Sequence, residues 1–156
     1  MSVDFRIMAV QSRREKYILP MLKILGLPED IVSYDINRSR AERNAMQNAR
    51  QTWLKPSSCS HICVLQDDLQ LTPNFVAIAE ECAKQFPIAI FSFYQPRLRW
   101  EDKPKDTPYL KIAGCGMYGQ AIMIPAKLVP LVFFWGDKNY GEDYPHDDTV
   151  IGFFAS

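Results

Sequence analysis

The sequence lacks an excess of either charge: 18 Lys and Arg residues balance 18 Asp and Glu, and the formal net charge is zero. A domain that holds nucleic acid across its whole surface is usually basic, because phosphate contacts dominate that affinity. This mode of binding is disfavoured here, and only a local basic patch stays open. The chain also lacks a long uncharged apolar run. A membrane-spanning helix needs about 20 apolar residues, and the longest candidate, around Leu128 to Trp135, is much shorter. The opening stretch MSVDFRIMAV carries Asp4 and Arg6 and does not have a secretion signal's basic region followed by an apolar one. The expectation is a cytoplasmic protein.

Histidine and cysteine are scarce, with 2 and 4 residues respectively. Nothing in the sequence marks an oxidising compartment in which Cys59, Cys63, Cys82 and Cys115 would need to pair. Cys59, His61 and Cys63 alternate, so a strand would set all three on one face. No second ligand pair stands at zinc-site spacing, and buried thiols beside an ordinary histidine are the favoured reading over zinc.

What is present is a globular composition: 156 residues, 47% hydrophobic and 23% charged. That length suits one domain with a proper core. There are no internal repeats and no low-complexity tracts. We expect a single domain over 1–156, with a change of character between 1–94 and 95–156.

The pattern alternates strands and helices. FRIMAVQS reads as a first strand. Ser12 with Glu15 forms a capping box, opening a helix that carries Ile18, Met21, Leu22 and Leu25 at helical spacing and stops near Gly26 and Pro28. DIVSYDI is a second strand. Ser39 with Glu42 is another capping box, before a helix through Ala41, Ala45, Ala49 and Trp53. HICVL is a third strand, and Thr72-Pro73 starts a helix with Phe75, Ile78, Ala79 and Cys82 as its buried stripe. IAIFSF is a fourth, its near-continuous apolar run matching a strand covered on both faces.

After Tyr94 the character changes. QPRLRWEDKPKDTPY is a proline-rich surface loop, YLKIAGCGMYGQAIMIP holds short strands not parallel to the rest, and PAKLVPLVFFW is helical despite Pro130. GDKNYGEDYPH is a loop leading to DDTVIGFF. Together these predict an α/β domain with a mostly parallel sheet.

In such sheets, ligands bind outside the carboxyl ends of the strands. Asp67 and Asp68 fall at such an end, directly behind HICVLQ. Two like charges side by side repel, and a hard divalent cation would relieve that while creating a phosphate site. A role in the turn before the next helix competes on equal terms from spacing alone.

The segment CSHICVLQDDLQLTPNF resembles the strand, acidic motif and following helix of GT-A glycosyltransferases. Other pieces follow in that family's order. FRIMAVQSRREKYI resembles the first strand and donor-base loop, and SRAERNAMQNARQTW the helix before the acidic strand. CGMYGQAIMIP resembles the aromatic-glycine segment, and HDDTVIGFF is similar to the late acidic motif. The resemblance spans nearly the whole chain. It implies a compact Rossmann-like, three-layer GT-A domain with a short antiparallel C-terminal part. It also implies Mn²⁺ or Mg²⁺ as cofactor and a nucleotide-diphosphate sugar as donor. The acceptor is left open among a glycan, a protein and a modified nucleic-acid base. Gln66 stands where many members carry the leading acid, leaving Asp67 and Asp68 as the metal carboxylates; His146 is a candidate to complete the shell or contact phosphate, against the ordinary role of a solvated loop histidine.

On the donor side the candidates are Gln11, Arg13, Asp35, Arg40, Arg43, Gln66 and Asp67. The arginines, with Arg14, stand near helix starts where phosphate or nucleotide is met. Against this, each has the ordinary role of a solvated charge. In the implied inverting reaction, a carboxylate takes the acceptor's proton, worth roughly 10²–10⁴-fold. Asp148, ahead of Asp147, is the candidate base; capping of the last helix is the competing role for the pair. Trp100, Tyr118 and Trp135 are candidates for stacking on sugar faces. A phospho-acceptor receiver domain is disfavoured, since its acids follow strand one, which here ends AVQS. A metal-dependent phosphoesterase or nuclease using Asp67, Asp68, Asp147 and Asp148, and a non-catalytic nucleotide-binding module, are the alternatives.

Overall fold

The computed structural model describes residues 2–35, 45–94, 119–141 and 147–155. Five strands, β1 (Val3–Val10), β2 (Val32–Asp35), β3 (His61–Gln66), β4 (Phe91–Ser92) and β5 (Ala121–Pro125), form one open sheet in the order β2–β1–β3–β5–β4. β1 pairs in parallel with β2 and β3, whereas β5 runs antiparallel to both β3 and β4. Thus β5 opposes the direction shared by the other four. The helices are α1 (Leu19–Leu25), α2 (Ala45–Trp53), α3 (Phe75–Gln85), α4 (Val129–Tyr140) and α5 (Asp147–Ala155).

Side-chain alternation along the strands sorts the core into two clusters. Phe5, Ile7, Ala9, Cys63, Leu65 and Met123 meet Met21, Leu22 and Leu25 of α1 and Phe75, Ala79 and Ala83 of α3. Met8, Ile62, Val64, Ile122 and Ile124 meet α2, α4 and α5 through residues such as Trp53, Val132, Phe133 and Ile151. Helices therefore cover both faces of the sheet, which explains the near-continuous apolar run of β3. Among the described residues no helix is long and apolar enough to cross a membrane.

Several local expectations are corrected. The Ser12–Glu15 capping box does not form. The chain leaves β1 through a 3-10 turn at Gln11–Arg13 and a π-helical turn at Arg14–Ile18, without side-chain caps, and Glu15 pairs with Arg14 instead. The apolar stripe expected after it does hold, and α1 ends at Gly26 in the left-handed conformation (φ 67°) that glycine adopts without a Cβ clash. α3 starts at Phe75, after a turn closed by Phe75 N–H on the Thr72 carbonyl at 3.0 Å, and Ile78 is exposed, with Ala83 buried in the stripe. IAIFSF forms only the two residues of β4, whose neighbour among the described residues is β5. α4 runs past the expected loop start at Gly136 to Tyr140. The Ser39–Glu42 box, the polar loop after Tyr94 and the first part of the glycine-rich segment lie outside the described residues.

Polar groups bind the α2 layer to the sheet. Arg6, buried on β1, donates from Nη1 to the Thr52 and Trp53 carbonyls at the end of α2 (2.5 and 2.9 Å) and from Nη2 to Asp4 (2.6 Å). It satisfies orphan carbonyls and places positive charge at the helix's negative end. Arg50 on α2 pairs with Asp137 on α4 and lies over the Phe133 ring, 5.5 Å from its centroid. α4 approaches α5 so closely at Gly136 that a Cβ there would lie 2.5 Å from Val150 Cγ1.

The zinc reading of the alternating trio finds no support: Cys63 is wholly within the core, where burial pushes its thiol far up. His61 is buried too. Its Nδ1 lies 3.1 Å from Ser60 Oγ, its Nε2 has no partner, and burial lowers its pKa.

Two outcomes follow from these contacts. Gly136→Ala is expected to destabilise the protein by about 1–3 kcal/mol through overpacking, outweighing a helix-propensity gain of roughly 1 kcal/mol. Urea denaturation measures it, and adding Val150→Ala should restore the loss. For His61 the folded pKa lies below the unfolded one. As pH falls below about 6.5 the unfolded chain takes up a proton that the folded chain does not, and stability drops. His61→Leu should flatten the dependence of urea midpoint on pH between roughly 7 and 5; identical slopes in both proteins would refute the assignment.

Candidate functional site

The chain passes from β1 to β2 on one side and then crosses to β3 on the other, so the crevice at the carboxyl ends of β1 and β3 is a topological switch point. The last registered pair between them is Met8 and Gln66. Beyond it β3 turns away, with Leu69 N–H reaching the Gln66 carbonyl at 3.4 Å. Asp67 Oδ2 then accepts from Val10 N–H at 2.7 Å, so a side chain continues the link between strands after the backbone has left. The other oxygen, Oδ1, accepts from Arg13 Nη1 at 2.6 Å. Asp67 is 7% exposed. Asp68 faces solvent, with its Oδ2 3.9 Å from the same Arg13 Nη1.

The structure thus brings together most of the described candidates from the first half. Gln11 and Arg13 follow β1, Asp35 is in register with Val10 at the end of β2, and Gln66 to Asp68 end β3. Gln66 N–H is held by the Gln120 carbonyl at 2.8 Å, which ties this end to the start of β5. Arg14 has a different role from Arg13. Its Nε and Nη2 grip the two oxygens of Glu29, each at 2.6 Å, and Tyr34 donates to Glu29 as well. Arg14 and then Tyr34 hold Glu29 down at about 2, while burial and Glu29 push Tyr34 up to about 12. Arg14 is therefore a strut between the segment after β1 and the approach to β2.

The late acids belong to another layer. Asp147 opens α5, is buried, and accepts from Trp53 Nε1 at 3.2 Å. Its described neighbours are on the α2 side of the sheet, whereas those of Asp67 are on β1 and the segment behind it. Asp148 follows on the same helix; its side chain, together with His146, Arg40, Arg43, Trp100 and Tyr118, lies outside the described residues. Trp135 packs edge-on against Tyr140 and Phe154, at 5.7 and 6.1 Å between centroids, as a bridge between helices. The sequence reading missed Gln120, whose buried Oε1 has no hydrogen-bond partner among the described residues. No spacing singles it out; only its place beside Gln66 does.

Comparison with family models, with curated proteins and with solved structures finds no match to this chain. The site must be read from its own geometry. Among the described residues no group of three or more His, Cys, Asp and Glu side chains is placed to hold a metal ion. Both oxygens of Asp67 already accept hydrogen bonds, and the cation facing the two acids is the guanidinium of Arg13. In this arrangement the described residues do not fit Mg²⁺ or Mn²⁺, since the ion would have to displace Arg13 from Asp67.

The backbone tie and the ion pair separate by mutation. Asp67→Ala leaves the Val10 N–H without its acceptor and should cost about 1–3 kcal/mol. Asp67→Asn keeps a carbonyl acceptor for it and should cost less. Arg13→Gln breaks only a solvent-screened pair, for under about 1 kcal/mol. If chemical denaturation ranks Arg13→Gln equal to Asp67→Ala, the tie to Val10 is not the dominant contribution.

Proposed function

We propose that this chain is a glycosyltransferase of GT-A type, moving a sugar from a nucleotide-diphosphate sugar to an acceptor hydroxyl with inversion. The observation that carries this reading is the placement of Asp67, Asp68 and Arg13 at the switch point between β1 and β3. Ligands of open α/β sheets gather at such crevices, and the acidic motif of that family follows the corresponding strand. The late acidic motif stands at the start of α5, in the α2 layer, and it supports the reading only through its order in the sequence.

In the reaction, the acceptor oxygen bonds to the anomeric carbon as the bond from that carbon to the diphosphate oxygen breaks. The sugar passes through an oxocarbenium-like state. The acceptor's proton goes to a carboxylate base, for which Asp148 and Asp147 are the candidates. Trp53 orients the Asp147 carboxylate through its indole N–H. The acceptor is a glycan, a protein or a modified nucleic-acid base.

The experiment is incubation with a panel of nucleotide-sugars, in Mn²⁺, in Mg²⁺ and in EDTA, recording donor hydrolysis and nucleoside-diphosphate binding. At least one donor should be hydrolysed slowly and its nucleoside diphosphate bound. Asp148→Asn or Asp147→Asn should lower turnover by roughly 10²–10⁴-fold, with diphosphate binding retained. Absence of both signals across the panel removes the reading, and cleavage of a phosphodiester without any donor would favour the phosphoesterase alternative. Unchanged turnover in both variants would remove the late acids as base.

A further inference from the structure

The three arginines with described ion pairs to other elements differ in what they leave open. Arg14 uses Nε and Nη2, the side-on edge of the guanidinium, on Glu29. Arg50 uses both terminal nitrogens on Asp137. Arg13 is held through Nη1 alone, and its Nε and Nη2 have no hydrogen bond to any described residue. That free edge carries two parallel N–H donors, the geometry that grips a phosphate with two hydrogen bonds. The pair is built asymmetrically: the Asp67 side chain is 10% exposed and that of Arg13 43%. The acid is anchored inside by Val10 N–H, and the cation projects outward at the crevice.

We propose that Arg13 is the cation that meets the donor's diphosphate, in the place where the resemblance puts a divalent metal, and that Asp67 is its positioning residue. The inference rests on the reading of this crevice as a nucleotide-diphosphate sugar site. An arginine stays charged at every working pH and gives a fixed fork without a metal. Asp67 neutralises one face of the guanidinium and fixes its orientation. Asp68 stands 3.9 Å away in solvent, where water's high dielectric weakens its repulsion of an incoming phosphate.

Calorimetric titration of the whole chain with UDP, GDP, CDP, ADP, dTDP and inorganic pyrophosphate, in EDTA and in Mn²⁺, tests this. At least one nucleoside diphosphate should bind in EDTA, with Mn²⁺ altering its Kd by less than about threefold. Arg13→Gln should weaken binding at least tenfold, roughly the worth of a charged two-pronged contact, and Arg13→Lys should fall between. Asp67→Asn should weaken binding in the wild-type background and add nothing in the Arg13→Gln background, a non-additivity that mere loss of fold does not produce. Thermal melts verify that the Arg13 variants stay folded. Binding that appears only with Mn²⁺, and is lost in Asp67→Asn yet kept in Arg13→Gln, overturns the inference while leaving the glycosyltransferase reading standing. Binding in EDTA that is indifferent to Arg13→Gln also overturns it. No binding by any probe under either condition overturns both.

Discussion

Where β3 turns away from β1, the backbone ladder between them has to stop, and a carboxylate takes over. Asp67 accepts from Val10 N–H with one oxygen and from Arg13 with the other. A buried carboxylate is tolerated only when its lone pairs are satisfied and its charge is met, and here the two demands fall on different partners. The backbone donor fixes where the carboxylate sits, and the guanidinium neutralises it. This one side chain thus sets the gap between β1 and β3 at their carboxyl ends, and it fixes Arg13, the cation paired with it among the described residues. The rest of the candidate site is arranged around it: Asp68 beyond the turn, Asp35 across β1, and Gln66 held from the other side by β5.

A second set of polar contacts holds the other face. Arg6 reaches from β1 under the end of α2, Arg50 joins α2 to α4, and the Trp53 indole meets Asp147 at the head of α5. Arg6 and Asp147 are buried, where a charge left without its partner is costly, whereas the Arg50–Asp137 pair is partly exposed and partly screened. They therefore fix how the helices sit relative to one another more than they add net stability. Gly136 adds a steric constraint of the same kind, since only a residue without a Cβ lets α4 come this close to Val150. Asp147 is held in place by this face, and Asp67 by the strand ends.

The elements were legible because their signals are local. Apolar runs flanked by turn residues announced β1 and β3, the stripe Ile18, Met21, Leu22 and Leu25 announced the first helical segment, and Gly26 its end. Strand and helix alternation announced an α/β domain with a mostly parallel sheet; the sheet is mixed, with two parallel and two antiparallel pairings among the described residues, because β5 runs against both of its neighbours. What failed locally failed for a tertiary reason. The Ser12–Glu15 box lost because Glu15 found Arg14 and the chain left β1 in tighter and wider turns than an α-helix. IAIFSF shrank to two residues, paired with β5 among the described residues. Arg6 read only as a charge that spoils a signal sequence, whereas the fold puts it nearly 50 residues away in sequence, against α2.

By itself the sequence determined the class of fold and the strand end at which Asp67 and Asp68 stand, because periodicity and turn chemistry act over a few neighbours. It could not decide which cation faces those acids, since Arg13 and Asp67 are separated by 54 positions and meet only when β1 and β3 pair. Nor could it tell Arg13 from Arg14, adjacent residues of the same type. Only the packed structure gives Glu29 to one and, among the described residues, leaves the outer edge of the other without a partner. Charges find partners by distance in space, and that distance is set by the fold.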